Sequence, residues 1–319
     1  MEDYPRNLSE FDARFGTEEA CREYLFQLRW PEGFRCPRCG CPESSPVRTV
    51  LLRCGKCRHQ TSVIAGTIFQ DTRTPLRLWF QAMWWVTTQK NGASALGLQR
   101  VLGLKQYQTA WTWLHKLRSA MVRPGRDLLS GRVEVDETYL GGLEEGLRGR
   151  KTETKALIIV AAEQDGMGIG RIRMRHIADA SGKRLHAFVQ ASVAPGNIVH
   201  TDGWVGYSGL ADKGYVHDVT ILKGRKESAS ELLPRVHRVI SLLKRWLMGT
   251  HQGAVSHKHL DYYLDEFTFR FNRRKSASRG KLFFRLAQQA MAVEPVPYDA
   301  IVQQTRRQSE KPKLQVVAR

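Results

Sequence analysis

The sequence lacks any long apolar run, any internal repeat and any apolar stretch near its start. No run approaches the roughly 18 consecutive apolar residues of a membrane-spanning helix. The opening residues MEDYPRNLSEF are acidic and polar, unlike the apolar core of a signal peptide. We therefore expect a cytoplasmic protein whose thiols stay reduced. With 42% hydrophobic and 25% charged residues, the 319-residue chain is not wholly disordered and can form two or three domains.

Acidic residues are few relative to basic ones. The chain has 31 Asp and Glu against 50 Lys and Arg, which gives a formal net charge of +19. A polyanionic partner is the simplest reason to maintain such a charge, so composition favours nucleic acid. A membrane surface or an acidic protein would explain the same excess.

Only six cysteines are present, and four of them form two C-x2-C pairs with 14 residues between the pairs. The pairs are Cys36 with Cys39 and Cys54 with Cys57. A hairpin that brings two such pairs together offers four thiolates to Zn²⁺, whereas a cytosolic setting disfavours disulfides. Four thiolates leave no open coordination position, so the zinc is expected to be structural. Cys41 could compete as a ligand, and Cys21 is interpreted as a small core residue.

Apolar residues recur at helical spacing in three stretches after the cysteines. The first helix is predicted to begin at Pro75, the second to run from near Asn91-Gly92 to Gly103, and the third to run from Tyr107 to Met121. The second and third resemble a helix-turn-helix, whose recognition helix would read base edges. The exposed polar residues predicted there are Lys105, Gln106, Gln108, Thr109, Thr112, His115 and Lys116. An ordinary three-helix packing unit would give the same pattern.

The middle of the chain alternates strand-like and helix-like segments. Strands are predicted over 132–139, 155–162, 170–177, 197–201 and about 217–222, and helices over 181–192 and 234–248. A short helix is expected between the last two strands. The order is three strands, helix, strand, helix, strand, helix, which is the order of an RNase H-like domain.

Three polar residues fall at informative places in that order. Asp136 lies on the first strand, Asp202 ends the fourth, and His237 lies in the first turns of the last helix. In an RNase H-like fold these positions meet at one edge of the sheet. Two close carboxylates would repel unless cations lie between them, so we expect two Mg²⁺ or Mn²⁺ ions that clamp a phosphodiester. Taken singly, each residue is as well explained by a solvated strand, a turn or a helix cap, and Glu137 is a further carboxylate on the opposite face.

Basic residues near this edge are candidates for DNA contacts. Lys244 lies two helical turns after His237 and could steer a phosphate, or it could be a solvated helix lysine. The remaining basic candidates are Arg245, which follows Lys244, and two pairs elsewhere in the chain. Arg150 and Lys151 lie in a glycine-rich loop, and Arg273 and Arg274 lie after a helical stripe of apolar residues.

The expected fold class is multidomain α+β. The predicted ranges are a zinc ribbon over 1–65, a helix-turn-helix-like segment over 66–125, an RNase H-like α/β catalytic core over 126–290, and a basic tail over 291–319.

Long motifs in the chain resemble those of bacterial insertion-sequence transposases of the zinc-ribbon, ISXO-like DDE group. They are RWPEGFRCPRCG, QTSVIAGTIF after the second cysteine pair, VDETYLGG, HTDGWVGY, HRVISLLKRWLMGTHQG and HLDYYLDEFTFRFNRR. The resemblance runs from about Phe15 to Arg274. Asp136 and Asp202 match the family's first two metal-binding aspartates, and Lys244 matches the lysine after the third.

His237 matches the third metal-binding position, where many related enzymes have Glu or Asn. An imidazole compensates less metal charge than Glu and suits softer ions, so Mn²⁺ is a candidate for the preferred metal.

The resemblance implies DNA cleavage and strand transfer at terminal inverted repeats, with a homo-oligomer assembled on double-stranded DNA at the nucleoid and no membrane partner. A catalytically inactive zinc-ribbon and helix-turn-helix DNA-binding protein is the alternative, and a stand-alone nuclease is a third.

Overall fold

The computed structural model describes residues 3–123, 125–141, 155–221, 227–253 and 255–303. The chain forms two compact units, described separately below: the described residues of Met1–Gly125 with Lys275–Arg319, and those of Arg126–Arg274. Within the described ranges, no helix combines the length and the apolar character needed to cross a bilayer.

The first unit consists of a small sheet and seven helices within its described residues. The antiparallel sheet has the order β1 (Ser44–Arg48), β2 (Leu51–Cys54), β3 (Gln60–Ser62). The helices are α1 (Leu8–Arg14), α2 (Glu18–Arg29), α3 (Leu76–Thr88), α4 (Ala95–Leu102), α5 (Tyr107–Ala120), α10 (Arg279–Ala292) and α11 (Tyr298–Gln303).

An aromatic cluster forms the core of this unit. Phe283 of α10 is fully buried and contacts Phe11 at 5.5 Å and Phe80 at 5.7 Å between ring centroids, both edge to face. The start of α10 also lies tightly against the N-terminal segment, since a Cβ at Gly280 would clash with the Pro5 carbonyl oxygen. These contacts explain why α10 groups with the N-terminal residues.

The predicted domain borders differ from these compact units. The border at residue 290 would cut through α10, whereas the second unit ends at Arg274. The range 1–65 also contains α1 and α2, which the cysteine pattern alone does not indicate. Buried Cys21 lies on α2, as expected for a core residue, and burial raises the pKa of its thiol to about 12.

Helices α4 and α5 form largely where the apolar spacing predicted helices. Ser94 caps α4, so that helix begins slightly after Asn91-Gly92, and Gly103 ends it with a left-handed φ of 62°. The expected exposure of His115 on α5 is wrong, because its side chain is fully buried. The inner face of α5 therefore packs into the unit, and the exposed polar side chains are concentrated at its N-terminal end.

The second unit is a five-stranded mixed sheet with helices on both faces. Its strands are β4 (Arg132–Leu140), β5 (Ala156–Asp165), β6 (Gly168–Ile177), β7 (Ile198–Asp202) and β8 (Val216–Thr220). They lie in the order β6-β5-β4-β7-β8, with β4 pairing antiparallel to β5 and parallel to β7. This topology is that of the RNase H-like fold, and it places β4 at the centre of the sheet.

The helices of this unit divide between the two faces of the sheet. They are α6 (Gly182–Ser192), α7 (Ala229–Leu232), α8 (Pro234–His251) and α9 (Leu260–Asn272). One core holds Leu185 and Phe188 of α6 against one face, and the other holds residues of α8 and α9 against the opposite face. Because helices cover both faces, the first seven residues of β5 are all buried, as its nearly continuous apolar sequence predicted.

Candidate active site and zinc centre

The parallel pairing of β4 with β7 places the two predicted aspartates at the same level of the sheet. Glu134 is in register with His200, and Asp136 and Asp202 each follow two residues later. Side chains two residues apart share a face, so both carboxylates project on the face covered by α8. The sheet topology thus brings together two residues that are 66 positions apart.

His237 approaches Asp136 from α8. Its Nε2 lies 3.6 Å from Asp136 Oδ2, which is longer than a hydrogen bond. Burial lowers the pKa of His237, and Lys244 lowers it further, while the carboxylates of Glu134 and Asp202 act in the opposite direction. The net shift favours a neutral imidazole, which is the form that binds a metal.

Glu134 anchors the helix that carries His237, a role that its sequence position alone does not reveal. Its carboxylate is 2% exposed and accepts hydrogen bonds from the backbone N–H groups of Arg235 at 2.7 Å and Val236 at 2.9 Å. The Arg235 guanidinium donates a third, at 2.9 Å. The carboxylate therefore satisfies donors in the first turn of α8 and lies at the positive end of its dipole.

A signal for this contact is present in the sequence. Helix α8 begins with Pro234 but has no acidic residue in its first turn, and no side chain caps it locally. A carboxylate from another element was therefore the missing acceptor, and Glu134 lies two residues before Asp136 on the same face of β4.

Asp202 is fixed by the turn that follows β7. Its Oδ1 accepts a hydrogen bond from the Trp204 backbone N–H at 3.0 Å, and the Trp204 indole Nε1 donates to the Ala180 carbonyl at 3.1 Å. Glu137 lies on the opposite face of β4, as strand alternation predicts, and accepts a hydrogen bond from the Tyr207 hydroxyl at 2.6 Å. Burial and the Glu137 carboxylate raise the pKa of Tyr207, which keeps this hydroxyl protonated as a donor.

The donor set suits a hard or borderline divalent cation. Ligands at right angles on an ion with bonds of about 2.1 Å are about 3.0 Å apart, so the 3.6 Å between Asp136 and His237 requires only a small closure. Asp136, Asp202 and His237 do not all lie within 4.8 Å of one another; in the described chain only the four ribbon cysteines form such a group. Repulsion between two carboxylates is a physical reason for the wider spacing.

The basic candidates occupy different settings. Lys244 and Arg245 are exposed on α8. Arg273 and Arg274 stack over the rings of Phe269 and Phe271, each at 4.0 Å. Arg274 also donates to the Gly170 carbonyl at 3.2 Å, so it ties the end of α9 to β6. Arg150 and Lys151 lie outside the described residues.

The polar N-terminal end of α5 borders a cavity of about 360 Å³ in the first unit. Lys105 and Gln106 are exposed, whereas Thr109 and Thr112 are half-buried. Gln108 Nε2 donates to the Tyr298 hydroxyl of α11 at 2.5 Å. The predicted DNA-reading residues therefore lie near one another, but α11 contacts one of them.

The four predicted zinc ligands converge in the ribbon. Their sulfur atoms all lie within 4.8 Å of one another, with Cys36 to Cys57 and Cys39 to Cys54 both at 3.6 Å. Tetrahedral Zn²⁺ with bonds of about 2.3 Å requires sulfur spacings of about 3.8 Å, so the cluster fits the ion. The Cys57 backbone N–H donates to Cys54 Sγ and lowers the pKa of that thiol to about 6, which favours the thiolate. Cys41 is not in the cluster; its carbonyl accepts from the Cys36 N–H.

The fold and the two centres define a transposase of the polynucleotidyl-transferase class, with a structural zinc ribbon. A family model described as "ISXO2-like transposase domain" matches residues 128–272, and one described as "Transposase zinc-ribbon domain" matches residues 16–60. Together they cover more than half of the chain. The chain belongs to the ISXO2-like insertion-sequence transposases with an N-terminal zinc ribbon.

Individual relatives are more distant. An uncharacterized protein in the transposable element ISH50 of Halobacterium salinarum is 26% identical over 279 residues, 80% of this chain and 91% of the relative. Among solved structures, the catalytic core domain of BIV integrase is 14% identical with a TM-score of 0.32, covering 55% of this chain and 96% of that one. The Mos1 strand transfer complex is 12% identical with a TM-score of 0.26, covering 70% and 77%.

Proposed function

We propose that this transposase binds the terminal inverted repeats of an insertion sequence, cleaves the phosphodiester at each end and joins the released 3′-hydroxyl to target DNA. The observation that carries the proposal is the approach of His237 to Asp136, with Asp202 at the same level of the sheet. Two such reactions on two transposon ends require two copies of the site, so we propose a homo-oligomer on DNA.

Asp136, Asp202 and His237 would hold two divalent cations. Such ions would act as Lewis acids toward the oxygens of the phosphodiester. Asp136 and Asp202 supply the negative charge that attracts them, and the lowered pKa of His237 leaves a lone pair on its imidazole at neutral pH. Lys244 lies on the same side of α8 and is close enough to affect His237, so its ammonium can orient a DNA phosphate.

The first unit supplies candidate contacts outside the catalytic centre. We propose that the zinc ribbon and the exposed end of α5, with Lys105, Gln106 and Gln108, bind the terminal repeat. Phosphate contacts by Arg245 and Arg273 of the second unit would increase the length of DNA that the protein contacts. The net charge of +19 supports this extended contact and predicts strong salt dependence of binding.

The proposal is tested with the full chain and a labelled duplex carrying the element's terminal repeat, in Mg²⁺ and in Mn²⁺. Asp136→Asn, Asp202→Asn and His237→Ala are each expected to reduce cleavage by 100-fold or more, roughly the scale of losing a main electrostatic contact. Asp212→Asn, on an exposed segment of the same unit, is the matched control and should cleave like wild type. If His237→Ala cleaves normally while Asp136→Asn is inactive, the third-ligand assignment is wrong. DNA binding without divalent-dependent cleavage in the wild type would favour a catalytically inactive DNA-binding protein.

A further inference from the structure

The two edges of the five-stranded sheet in the second unit differ in how they are covered. At the β6 edge, side chains of α9 bind the outward backbone groups. Asn272 accepts from the Ile172 N–H at 2.8 Å and donates to the Ile172 carbonyl at 3.2 Å. Asp261 accepts from the His176 N–H at 3.2 Å. These contacts block the addition of another strand at that edge.

The β8 edge has no such cover among the described residues. The Val216 N–H donates to the Asn197 carbonyl, so every second residue from Val216 directs its backbone groups towards β7. The backbone groups of His217, Val219 and the following Ile221 therefore point outward. No hydrogen bond between described residues uses them. An open row of donors and acceptors of this kind is a template for pairing with another strand.

The side chains of the β8 edge are apolar and exposed. Val216, Val219 and Ile221 are 57%, 45% and 61% exposed, although Val and Ile are usually buried. The strand has no lysine or proline, the residues that commonly keep an edge unpaired. Among Asp, Glu, Lys and Arg it has only Asp218, which already pairs with Arg132 of β4. The edge is therefore an apolar strip of low charge on a chain of net charge +19.

A second copy of the chain fits this edge because the edge is self-complementary. Antiparallel pairing about a twofold axis at Val219 places Val219 opposite Val219 of the second copy and His217 opposite Ile221. Each outward N–H then meets an outward carbonyl, and Asp218 lies opposite Thr220. A register centred on Asp218 would instead bring two carboxylates together, which is destabilising. Repulsion between two strongly basic chains is also smallest where the contact strip itself carries little charge.

We propose that two copies of this transposase associate by antiparallel pairing of their β8 strands, which makes one sheet continuous across both copies. The inference rests on the proposed function in one respect, because joining two transposon ends requires two catalytic sites. Asp202 is in register with Thr220 of β8. Three strand spacings of about 4.8 Å and a rise of two residues place the Asp202 backbones of the two copies about 16 Å apart. Both aspartates lie on the same face of the joined sheet, where one target duplex can reach both sites.

Disulfide trapping of the zinc-loaded full chain, without DNA, tests the pairing and its register. Val219→Cys is expected to form a disulfide between two copies, because paired Cα atoms about 5.5 Å apart suit that bond. Val216→Cys is the matched control, since Val216 is at least as exposed and lies on the same strand. In the proposed register it is about 20 Å from its counterpart, so it should not cross-link above the wild-type background.

Sedimentation of the same reduced protein measures association directly. Val219→Lys places two ammonium groups opposite each other and should weaken dimerisation at least tenfold. Met167→Lys adds the same charge in the exposed turn between β5 and β6, away from β8, and should dimerise like wild type. Thermal unfolding checks that each variant is folded.

The assignment is wrong if Val219→Cys cross-links no better than Val216→Cys, or if Val219→Lys dimerises like wild type. A disulfide within one Val219→Cys chain would assign the edge to a segment of the same chain. A monomeric wild type would leave the edge to a different protein strand, and either result overturns the proposal. Neither measurement uses DNA or a catalytic metal, so a protein that dimerises through β8 but does not cleave refutes only the proposed function.

Discussion

Replacing Glu134 tests whether a buried carboxylate positions the catalytic helix. Glu134→Gln keeps the size of the side chain and one acceptor oxygen, but it removes the charge that two backbone N–H groups and Arg235 share. Glu134→Ala removes every acceptor. Because Glu134 is almost fully buried, water cannot replace these interactions without entering the space between β4 and α8.

The magnitude follows from the contacts. A hydrogen bond to a charged group contributes about 1.5–3 kcal/mol, and removal of one member of a buried ion pair costs about 3–5 kcal/mol. Arg235 is 19% exposed and can regain some hydration, so we expect Glu134→Ala to lower the free energy of unfolding by about 3–4 kcal/mol. Glu134→Gln should cost about 1–2 kcal/mol and leave the unit folded.

Glu163 provides a matched control in the same unit. Its carboxylate also accepts hydrogen bonds from two backbone N–H groups, those of Ser130 and Arg171, and from an arginine side chain. It ties β5 to β6 and holds no helix that bears a site residue. Glu163→Gln should therefore lower stability to a similar degree without moving His237.

The assay compares urea unfolding with the Mn²⁺ concentration that gives half-maximal cleavage. Loss of an outer hydrogen-bonding group around a metal typically weakens metal affinity about 10- to 100-fold. We expect Glu134→Gln to raise the Mn²⁺ midpoint about tenfold and Glu163→Gln to leave it unchanged. If both variants shift the midpoint equally, or neither does while both lose stability, Glu134 supports the fold without positioning His237.

Two further predictions concern the zinc centre and acid stability. Cys54→Ser should lose the single bound zinc per chain, measured by metal analysis after dialysis, whereas Cys41→Ser, outside the cluster, should retain it; equal zinc in both would contradict the ligand set. Burial raises the pKa of Glu163, but hydrogen bonds from Arg171 and Ser130 outweigh it and lower the pKa to about 2. The stability from this carboxylate is therefore complete above its unfolded value of 4.5 and is lost as the pH falls towards 2. Thermal unfolding should show that the free energy of unfolding of the wild type falls by about 1–2 kcal/mol more than that of Glu163→Gln across that pH range, allowing for solvent screening. If the two proteins lose stability in parallel as the pH falls, this role of Glu163 is refuted.

Much of the second unit could be read from local patterns. The alternation of Val133 and Val135 with Glu134 and Asp136 predicts a strand with one polar face, and the apolar run of β5 predicts a strand covered on both sides. The order of these segments then predicts the topology, since few arrangements connect them without crossing. The location of Asp136 and Asp202 followed from that topology.

Residues whose role depends on distant contacts were harder to predict. His115 follows the polar spacing of an exposed helix face, but its surroundings bury it. Helix α10 has an apolar stripe that fits either unit, and the position of Phe283 among Phe11, Phe80 and Trp84 decides in favour of the first. An apolar stripe specifies that a surface will be buried, but not against what.

The sequence by itself determined the cysteine spacing of a zinc site, the order of strands and helices, and the residue types able to hold divalent ions. These features depend on neighbours along the chain and on fixed backbone periodicities. Only the tertiary structure decided that Glu134 holds the first turn of α8 and that side chains of α9 cover the β6 edge of the sheet. Those contacts join residues far apart in sequence, and their selection depends on the packing of whole elements against the sheet.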